Sequence, residues 1–452
     1  MVQKKFSLST TQIILLSFLL TILVGSVLLW LPISAADGRA VRYIDALFTA
    51  TTSTCVTGLV TVSTVSTWSI FGQMVILLLI QIGGLGIVTI MSGLMMLLNR
   101  KMGISDRLLI QDAFNLNTMS GLAKFVKNVL AGTMVIEFVG ALLYMTVFIP
   151  EFGLRGIWIS IFTSVSAFCN AGIDIIGPNS LNDYATNPII NLVTCGLIIL
   201  GGLGYIVWWD TLRVLQTRSR RNPRFFRHLT LHSKIAITAT FCLIISGGLL
   251  ILAMEYDNPL TIGSMSLWDK LQVSFFQSVT TRTAGFASIP QENLTNAGAL
   301  VSLFLMVIGG SPVGTAGGIK TVTVVTLFCS AWSTIRGQKY ASIFHRTLSV
   351  ASIRKAIAVV GAFVSILLVS TILLAACTEA SALDIVYETI SATATVGLSR
   401  NLTPNLNLAG KIIIIMNMYF GRVGPISLAV ALGKKGESQN LVSDPPEEIC
   451  IG

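Results

Sequence analysis

The residues of this chain best placed to do chemistry lie in four short turns: Thr54-Cys55-Val56-Thr57-Gly58-Leu59, Asn170-Ala171-Gly172-Ile173, Thr283-Ala284-Gly285-Phe286 and Thr395-Val396-Gly397-Leu398. Their glycines are 114, 113 and 112 residues apart, a near-constant period that marks internal repetition. The chemistry on offer is that of the backbone. A glycine adopts the positive φ that side chains resist, which lets successive carbonyl oxygens face the same way. Four such turns around one axis would make a cage of carbonyls, and a cage of that kind replaces the hydration shell of a stripped cation. The candidate cation-binding residues are Cys55, Val56, Thr57 and Gly58, then Asn170, Ala171 and Gly172, then Thr283, Ala284 and Gly285, then Thr395, Val396 and Gly397. One copy alone would read as an ordinary glycine turn in a helical protein; four copies at constant period favour the cage.

Each turn needs an element to deliver it. Ten residues before each glycine stands an aromatic ring (Phe48, Phe162, Phe275, Tyr387), and the residues between are mostly small, hydroxylated or apolar. This pattern predicts a short buried helix running into the turn. About 11 residues of helix cover roughly 16 Å, too little to span a bilayer, so each segment must enter and return. Irregular backbone at that depth is tolerated only where it is buried in protein or lines a water-filled cavity. The C-terminal end of each helix would point its partial negative charge at the cage, which favours a cation.

The setting is a membrane. Of 452 residues, 53% are hydrophobic and only 11% charged, far from a soluble average. Eight spans are predicted: Thr11 to Ile33, Ser69 to Asn99, Asn128 to Pro150, Asn187 to Trp209, Ile235 to Met254, Asn296 to Ile335, Ala356 to Thr378 and Ile412 to Leu432. The first is too long for a signal peptide and lacks a cleavage site of small residues, so it is read as retained. The predicted fold is an all-α integral membrane protein of four helix, pore-loop, helix repeats around a pseudo-fourfold pore, with eight spanning helices plus four re-entrant ones. In order these are a cytoplasmic N-terminus (1–10), repeat 1 (11–99), a loop (100–127), repeat 2 (128–209), a basic loop (210–234), repeat 3 (235–335), a loop (336–355), repeat 4 (356–432) and a tail (433–452).

Charge placement orients the repeats. With both termini inside, 21 of the 30 basic residues fall on the inner side, against 6 of the 20 acidic ones. The net charge of +10 therefore requires no nucleic acid. The densest part carries Arg218, Arg220, Arg221, Arg224, Arg227 and His228; it reads as topogenic charge near anionic membrane lipids and equally as a docking surface for a cytosolic partner. Cys55, Cys169, Cys195, Cys242, Cys329, Cys377 and Cys450 are odd in number and form no C-x-x-C pair, so they are read as small core residues. His228, His232 and His345 lack a metal-ligand spacing.

A second glycine element follows each turn: Gly83-Gly84-Leu85-Gly86, Gly201-Gly202-Leu203-Gly204, Gly309-Gly310 and Gly421-Arg422-Val423-Gly424-Pro425. In the first two, small residues would let helices approach closely or bend. The third expands to Gly309-Gly310-Ser311-Pro312-Val313-Gly314-Thr315-Ala316-Gly317-Gly318-Ile319-Lys320, which cannot stay a regular helix and lacks the Walker spacing of a phosphate loop. Its reading is a broken helix with a flexible constriction, or gate, below the cage. Arg422 stands near the middle of a span, where a charge costs at least ~2.5 kcal/mol. It is either structural, paired with Glu137 or with backbone carbonyls, or part of the conduction path. Glu137 reads as a structural partner, and Lys320 as able to reach a headgroup or the loop's own carbonyls. Paired intramembrane acids, HExxH and an activated nucleophile are all missing from the sequence, which argues against an enzyme.

Taken together, the four turns, the third-repeat break ending Gly318-Ile319-Lys320 and the Gly421-Arg422-Val423-Gly424-Pro425 motif resemble the Trk/Ktr/HKT superfamily of potassium transporters, most closely the membrane subunit of bacterial Ktr systems. The resemblance covers almost the whole chain. It implies uptake of potassium as the transported ion across the cell membrane, a homodimer, sodium-dependent activation as in several members, and control by a separate cytosolic ring of nucleotide-binding subunits, with no nucleotide bound by this chain. It places Gly58, Gly172, Gly285 and Gly397 at the selectivity filter, Gly310 to Gly318 at the gating loop and Arg422 beside it. Four glycines resemble the potassium-preferring pattern, since a serine in the first position goes with sodium preference in plant relatives. A sodium-selective or sodium-coupled transporter on the same scaffold is the alternative.

Overall fold

The computed structural model describes residues 9–98, 103, 107–111, 121–177, 180–217 and 225–424. Helix α1 (Thr10–Trp30) opens repeat 1 behind Ser9, whose side chain accepts from the Gln12 amide in a capping box, and α2 (Tyr43–Cys55) carries the first turn. The chain returns as α3 (Ile70–Leu85) and α4 (Ile87–Leu97). Repeat 2 comprises α5 (Leu122–Phe152), α6 (Arg155–Cys169), α7 (Pro188–Leu203) and α8 (Tyr205–Thr217). Repeat 3 comprises α9 (Leu231–Glu255), α10 (Leu267–Thr280), α11 (Asn296–Val307) and α12 (Thr321–Ile335). Repeat 4 comprises α13 (Val350–Cys377), α14 (Ala382–Thr393) and α15 (Leu408–Val423).

Among the described residues, α1, α5, α9 and α13 are each long and apolar enough to cross a membrane, and two more spans result if each bent pair counts as one. These outer helices turn large apolar residues such as Leu20, Phe138, Phe241 and Ile372 outward, as a lipid-facing surface requires.

Of the two readings open to the small residues of the returning helices, close approach and bending, the bend is present in repeats 1 and 2. Their returning helices, read from sequence as continuous apolar stretches, bend by 98° and 94°. The cause is local: Gly86 (φ 84°) and Gly204 (φ 87°) sit in a conformation closed to other residues, which ends the helical ladder. Gly424 (φ 91°) ends α15 in the same way. The third return is broken at the expected place, between α11 and α12. The N-terminal eight residues, Arg218, Arg220, Arg221, Arg224, Pro425, the remainder of the last predicted span, the tail and Cys450 lie outside the described residues.

The repeats close on themselves. Each outer helix packs on its own short helix (α1 on α2, α5 on α6, α9 on α10, α13 on α14). Each returning helix packs on the short helix of the next repeat: α3 on α6, α7 on α10, α11 on α14 and, completing the circuit, α15 on α2. A buried ion pair clasps this last junction, where Lys411 Nζ of α15 stands 2.6 Å from Asp45 Oδ1 of α2. Arg42 completes the site at 2.9 Å from the other carboxylate oxygen. Removing one partner of a buried pair leaves an uncompensated charge, at a cost of about 3–5 kcal/mol. Lys411→Met is therefore expected to lower the melting temperature in detergent markedly, and Asp45→Asn combined with Lys411→Met to recover part of the loss. Equal stability of the single and double variants would show that the pair does not hold the junction.

Candidate functional site

The four short helices that carry the turns, α2, α6, α10 and α14, are rich in hydroxyls yet buried. They tolerate this because the side chains bond back one turn: Thr49 Oγ1 to Asp45 O, Ser53 Oγ to Thr49 O, Ser160 Oγ to Gly156 O and Thr393 Oγ1 to Thr389 O, at 2.6 to 2.8 Å. Three of the four rings expected beneath the turns, Phe48, Phe162 and Tyr387, are fully buried. In the third repeat Phe275 is half-buried and the adjacent Phe276 is fully buried.

Beyond each helix the backbone follows one rule. The residue two before the glycine is left-handed (Val56 φ 55°, Asn170 φ 59°, Thr283 φ 67°, Thr395 φ 52°), and so is the glycine (Gly58 101°, Gly172 64°, Gly285 83°, Gly397 96°). A left-handed conformation at a non-glycine residue is uncommon, and four in register mark a constrained site. A hydroxyl ties each turn back to its helix. Thr52 Oγ1 accepts from Gly58 N at 3.0 Å, Ser391 Oγ from Gly397 N at 3.0 Å and Ser166 Oγ from Ile173 N at 3.1 Å, while Thr280 Oγ1 donates to Phe286 O at 2.6 Å. These four residues were not singled out from the sequence. Superposing the repeats would have shown a hydroxyl six residues before three of the glycines.

The turns meet in a ring. A Cβ placed on Gly58 would lie 2.6 Å from Ala171 O, one on Gly172 2.6 Å from Ala284 O, and one on Gly285 2.5 Å from Val396 O; one on Gly397 would strike Thr57 O. Each glycine thus faces the carbonyl that precedes the next repeat's glycine, in cyclic order. A cavity of about 320 Å³ opens on one face of this ring, lined by all four glycines with Asp174 and Glu292. Thr57 Oγ1, Thr395 Oγ1 and both polar atoms of the Asn170 side chain are buried with no protein partner.

The second glycine element is explained by the first. A Cβ on Gly83, Gly201 or Gly421 would collide with the carbonyl of Thr54, Phe168 or Thr393, in each case the residue four before a ring glycine. The returning helices thus press against the ends of the short helices, where no side chain fits. Their broken ends leave carbonyls without helical partners, and these are satisfied from elsewhere. In repeat 2, Gly202 O accepts from Ser311 N at 2.9 Å and Gly201 O from Thr315 N at 3.1 Å, while Tyr205 N donates to Val313 O at 3.0 Å. The segment between α11 and α12 is therefore seated on the bend of repeat 2.

In repeat 1 the donor is Arg422. Its guanidinium reaches Gly83 O, Gly84 O and, at 2.6 Å, Thr315 O of the third-repeat loop. Of the two structural partners open to it from sequence, the carbonyls hold Arg422; Glu137 instead accepts from Gln81 Nε2 at 3.1 Å. Lys320 turns to its own loop, donating to Ala316 O at 2.6 Å. A second cavity, about 370 Å³, lies against the loop and is lined by Gly83, Gly84, Gly317, Lys320 and Arg422 among others.

Four turns joined in a ring of glycines, with one cavity against the ring, another against the loop and a bundle wrapped in apolar helices, define a multi-pass membrane protein of the ion-transport class. The described residues include no group of His, Cys, Asp and Glu able to hold a metal ion. The chain belongs to the TrkH cation transport protein family, which matches residues 3–444, and so to the Trk/Ktr/HKT superfamily; it is a transporter and not an enzyme. It is 40% identical over 451 residues to the potassium/sodium uptake protein NtpJ of Enterococcus hirae, covering 98% of both chains. It is 38% identical to the Ktr system potassium uptake protein B of Bacillus subtilis, covering 98% of this chain and 96% of the relative. Its fold resembles that of the potassium transporter TrkH from Vibrio parahaemolyticus, with a TM-score of 0.75 at 17% identity, over 96% of this chain and 86% of that one.

Proposed function

We propose that this protein takes up potassium across the cell membrane through a selectivity filter made by Thr57-Gly58, Ala171-Gly172, Ala284-Gly285 and Val396-Gly397 with the left-handed residues that precede them. The single observation that carries the reading is the cyclic order of glycine and carbonyl around the four turns. Carbonyls converging on one axis suit a dehydrated monovalent cation, and the hydroxyls and amide left without partners nearby suit its exchange of water. The driving force is the membrane potential, about 2.3 kcal/mol per charge per 100 mV. Eight spans, three of them broken, plus four re-entrant helices, with both termini in the cytoplasm, is the topology this reading takes.

The loop Gly309 to Gly318, together with Arg422, serves as the gate. It lies between the ring and the second cavity, and its conformation depends on bonds to neighbours more than on its own glycine-rich backbone. A homodimer regulated by a separate cytosolic nucleotide-binding subunit is the assembly this reading takes, and similarity to proteins named as parts of Ktr systems supports the separate subunit. A sodium-selective or sodium-coupled transporter on the same scaffold is the second reading, favoured by the name of the Enterococcus relative. Reversal potentials of the purified protein in planar bilayers, with potassium on one side and sodium on the other, test both. The first reading expects a potential near the potassium equilibrium value; one near zero, or of opposite sign, rejects it.

A further inference from the structure

The broken ends of repeats 1 and 2 are satisfied by Arg422 and by loop amides, and repeat 3 has its own solution. Gly309 O, the carbonyl at the start of the constriction loop, accepts from Nη2 of Arg282 at 3.2 Å. Arg282 stands three residues before Gly285, where the other turns carry Cys55, Cys169 and Ala394. It is only 7% exposed, and no acid lies within ion-pair distance of it among the described residues. Its Nε is buried without a partner, so the contact to Gly309 is its one hydrogen bond there. A charged side chain in place of three small ones, spent on a single carbonyl of the loop, calls for an explanation.

The next residue makes a parallel connection: Thr283 Oγ1 accepts from Gly317 N at 3.0 Å, at the far end of the same loop. Beside these two points the flanks of the loop are joined to each other, Gly309 N donating to Ile319 O and Ile319 N to Val307 O. The third turn thus grips both ends of the loop's neck, whereas Arg422 holds only its crown at Thr315.

We propose that Arg282 is a positioning residue that latches the constriction loop to the third turn, so that the loop cannot withdraw without releasing that turn. The proposal rests on the filter-and-gate reading for its functional consequence, though not for the latch itself. A charge-assisted bond of this kind is among the stronger ones in a protein, and its loss should favour loop opening by about tenfold or more. Flux and ion discrimination should then change together, because one contact constrains both parts. Loss of Arg422, whose hydrogen bonds go to Gly83, Gly84 and Thr315 and to no turn of the ring, should change flux alone.

The test compares the full-length protein with Arg282→Met, which keeps the apolar stem, and Arg282→Lys, which keeps charge and a donor. Hydrogen–deuterium exchange of the peptide covering 309–318 reads the latch without reference to any ion. We expect about tenfold faster exchange in Arg282→Met, a smaller increase in Arg282→Lys, and unchanged exchange in 350–377; rubidium uptake into proteoliposomes should rise several-fold while the preference for potassium over sodium falls. Unchanged exchange over 309–318 in a folded variant overturns the latch, as does faster exchange spread evenly over the whole chain. Faster exchange confined to the loop with unaltered flux upholds the latch and rejects the gate reading instead. Should Arg282→Met not fold, Thr283→Val, which removes the parallel acceptor, must accelerate exchange around Gly317 or the coupling is wrong.

Discussion

Replacing Gly58 or Gly285 by alanine should reduce rubidium uptake at least tenfold and bring the preference for potassium over sodium close to unity. Two costs coincide at each position. The backbone is left-handed, φ 101° and 83°, which a side chain resists by about 1–2 kcal/mol. The added methyl would also stand 2.6 Å from Ala171 O at Gly58, or 2.5 Å from Val396 O at Gly285, so the neighbouring carbonyl must move. Those oxygens are the ones proposed to hold the ion, and a displacement of a few tenths of an ångström alters the cavity they enclose. The cyclic contact makes the damage non-local: shifting Ala171 O disturbs Gly172, which faces Ala284 O in turn. Gly361 of α13, with open space around its would-be Cβ, is the control, and Gly361→Ala should leave uptake unchanged. Wild-type rubidium uptake in Gly58→Ala would remove these turns from the conduction path.

That the four turns meet was legible in the sequence because the signal is a period, and a period survives whatever lies between its repeats. The Gly-rich break before Lys320 was legible for a similar reason, since Pro312 and its glycines exclude a helix on local grounds. What could not be read were features that depend on partners far along the chain. The clusters holding Gly86 and Gly204 allowed either close packing or a bend; the size of the bend, more than 90°, and the loop amides and Arg422 that meet the freed carbonyls were not legible. The Asp45 and Lys411 pair joins residues at opposite ends of the chain, and nothing local announces it. Arg282 sits inside a motif whose glycine drew the attention, and its meaning depends on Gly309. Val56, Asn170, Thr283 and Thr395 were named from sequence as cation-binding candidates, but their left-handed conformation could not be read because none of the four is glycine.

Arg422→Ala should raise uptake several-fold. The guanidinium binds carbonyls of two different repeats, Gly83 and Gly84 on one side and Thr315 on the other, and so staples the crown of the constriction loop across the ring from repeat 4. Hydrogen bonds to a charged group contribute about 1.5–3 kcal/mol each, and alanine removes all of them together with a positive charge lining the second cavity. Both losses act in one direction on a cation, since the loop loosens and the repulsion falls. The opposing effect is that freed carbonyls at Gly83 and Gly84 must find water, which the adjoining cavity can supply. Arg422→Lys separates the two contributions. It keeps the charge but cannot bridge Thr315 and Gly83 as a planar fork does, so an intermediate flux would divide the effect between stapling and repulsion. If a folded Arg422→Ala protein conducts no faster than wild type, the arginine is a structural tie for the bend in repeat 1, and the obstruction to flow must be sought in the loop alone.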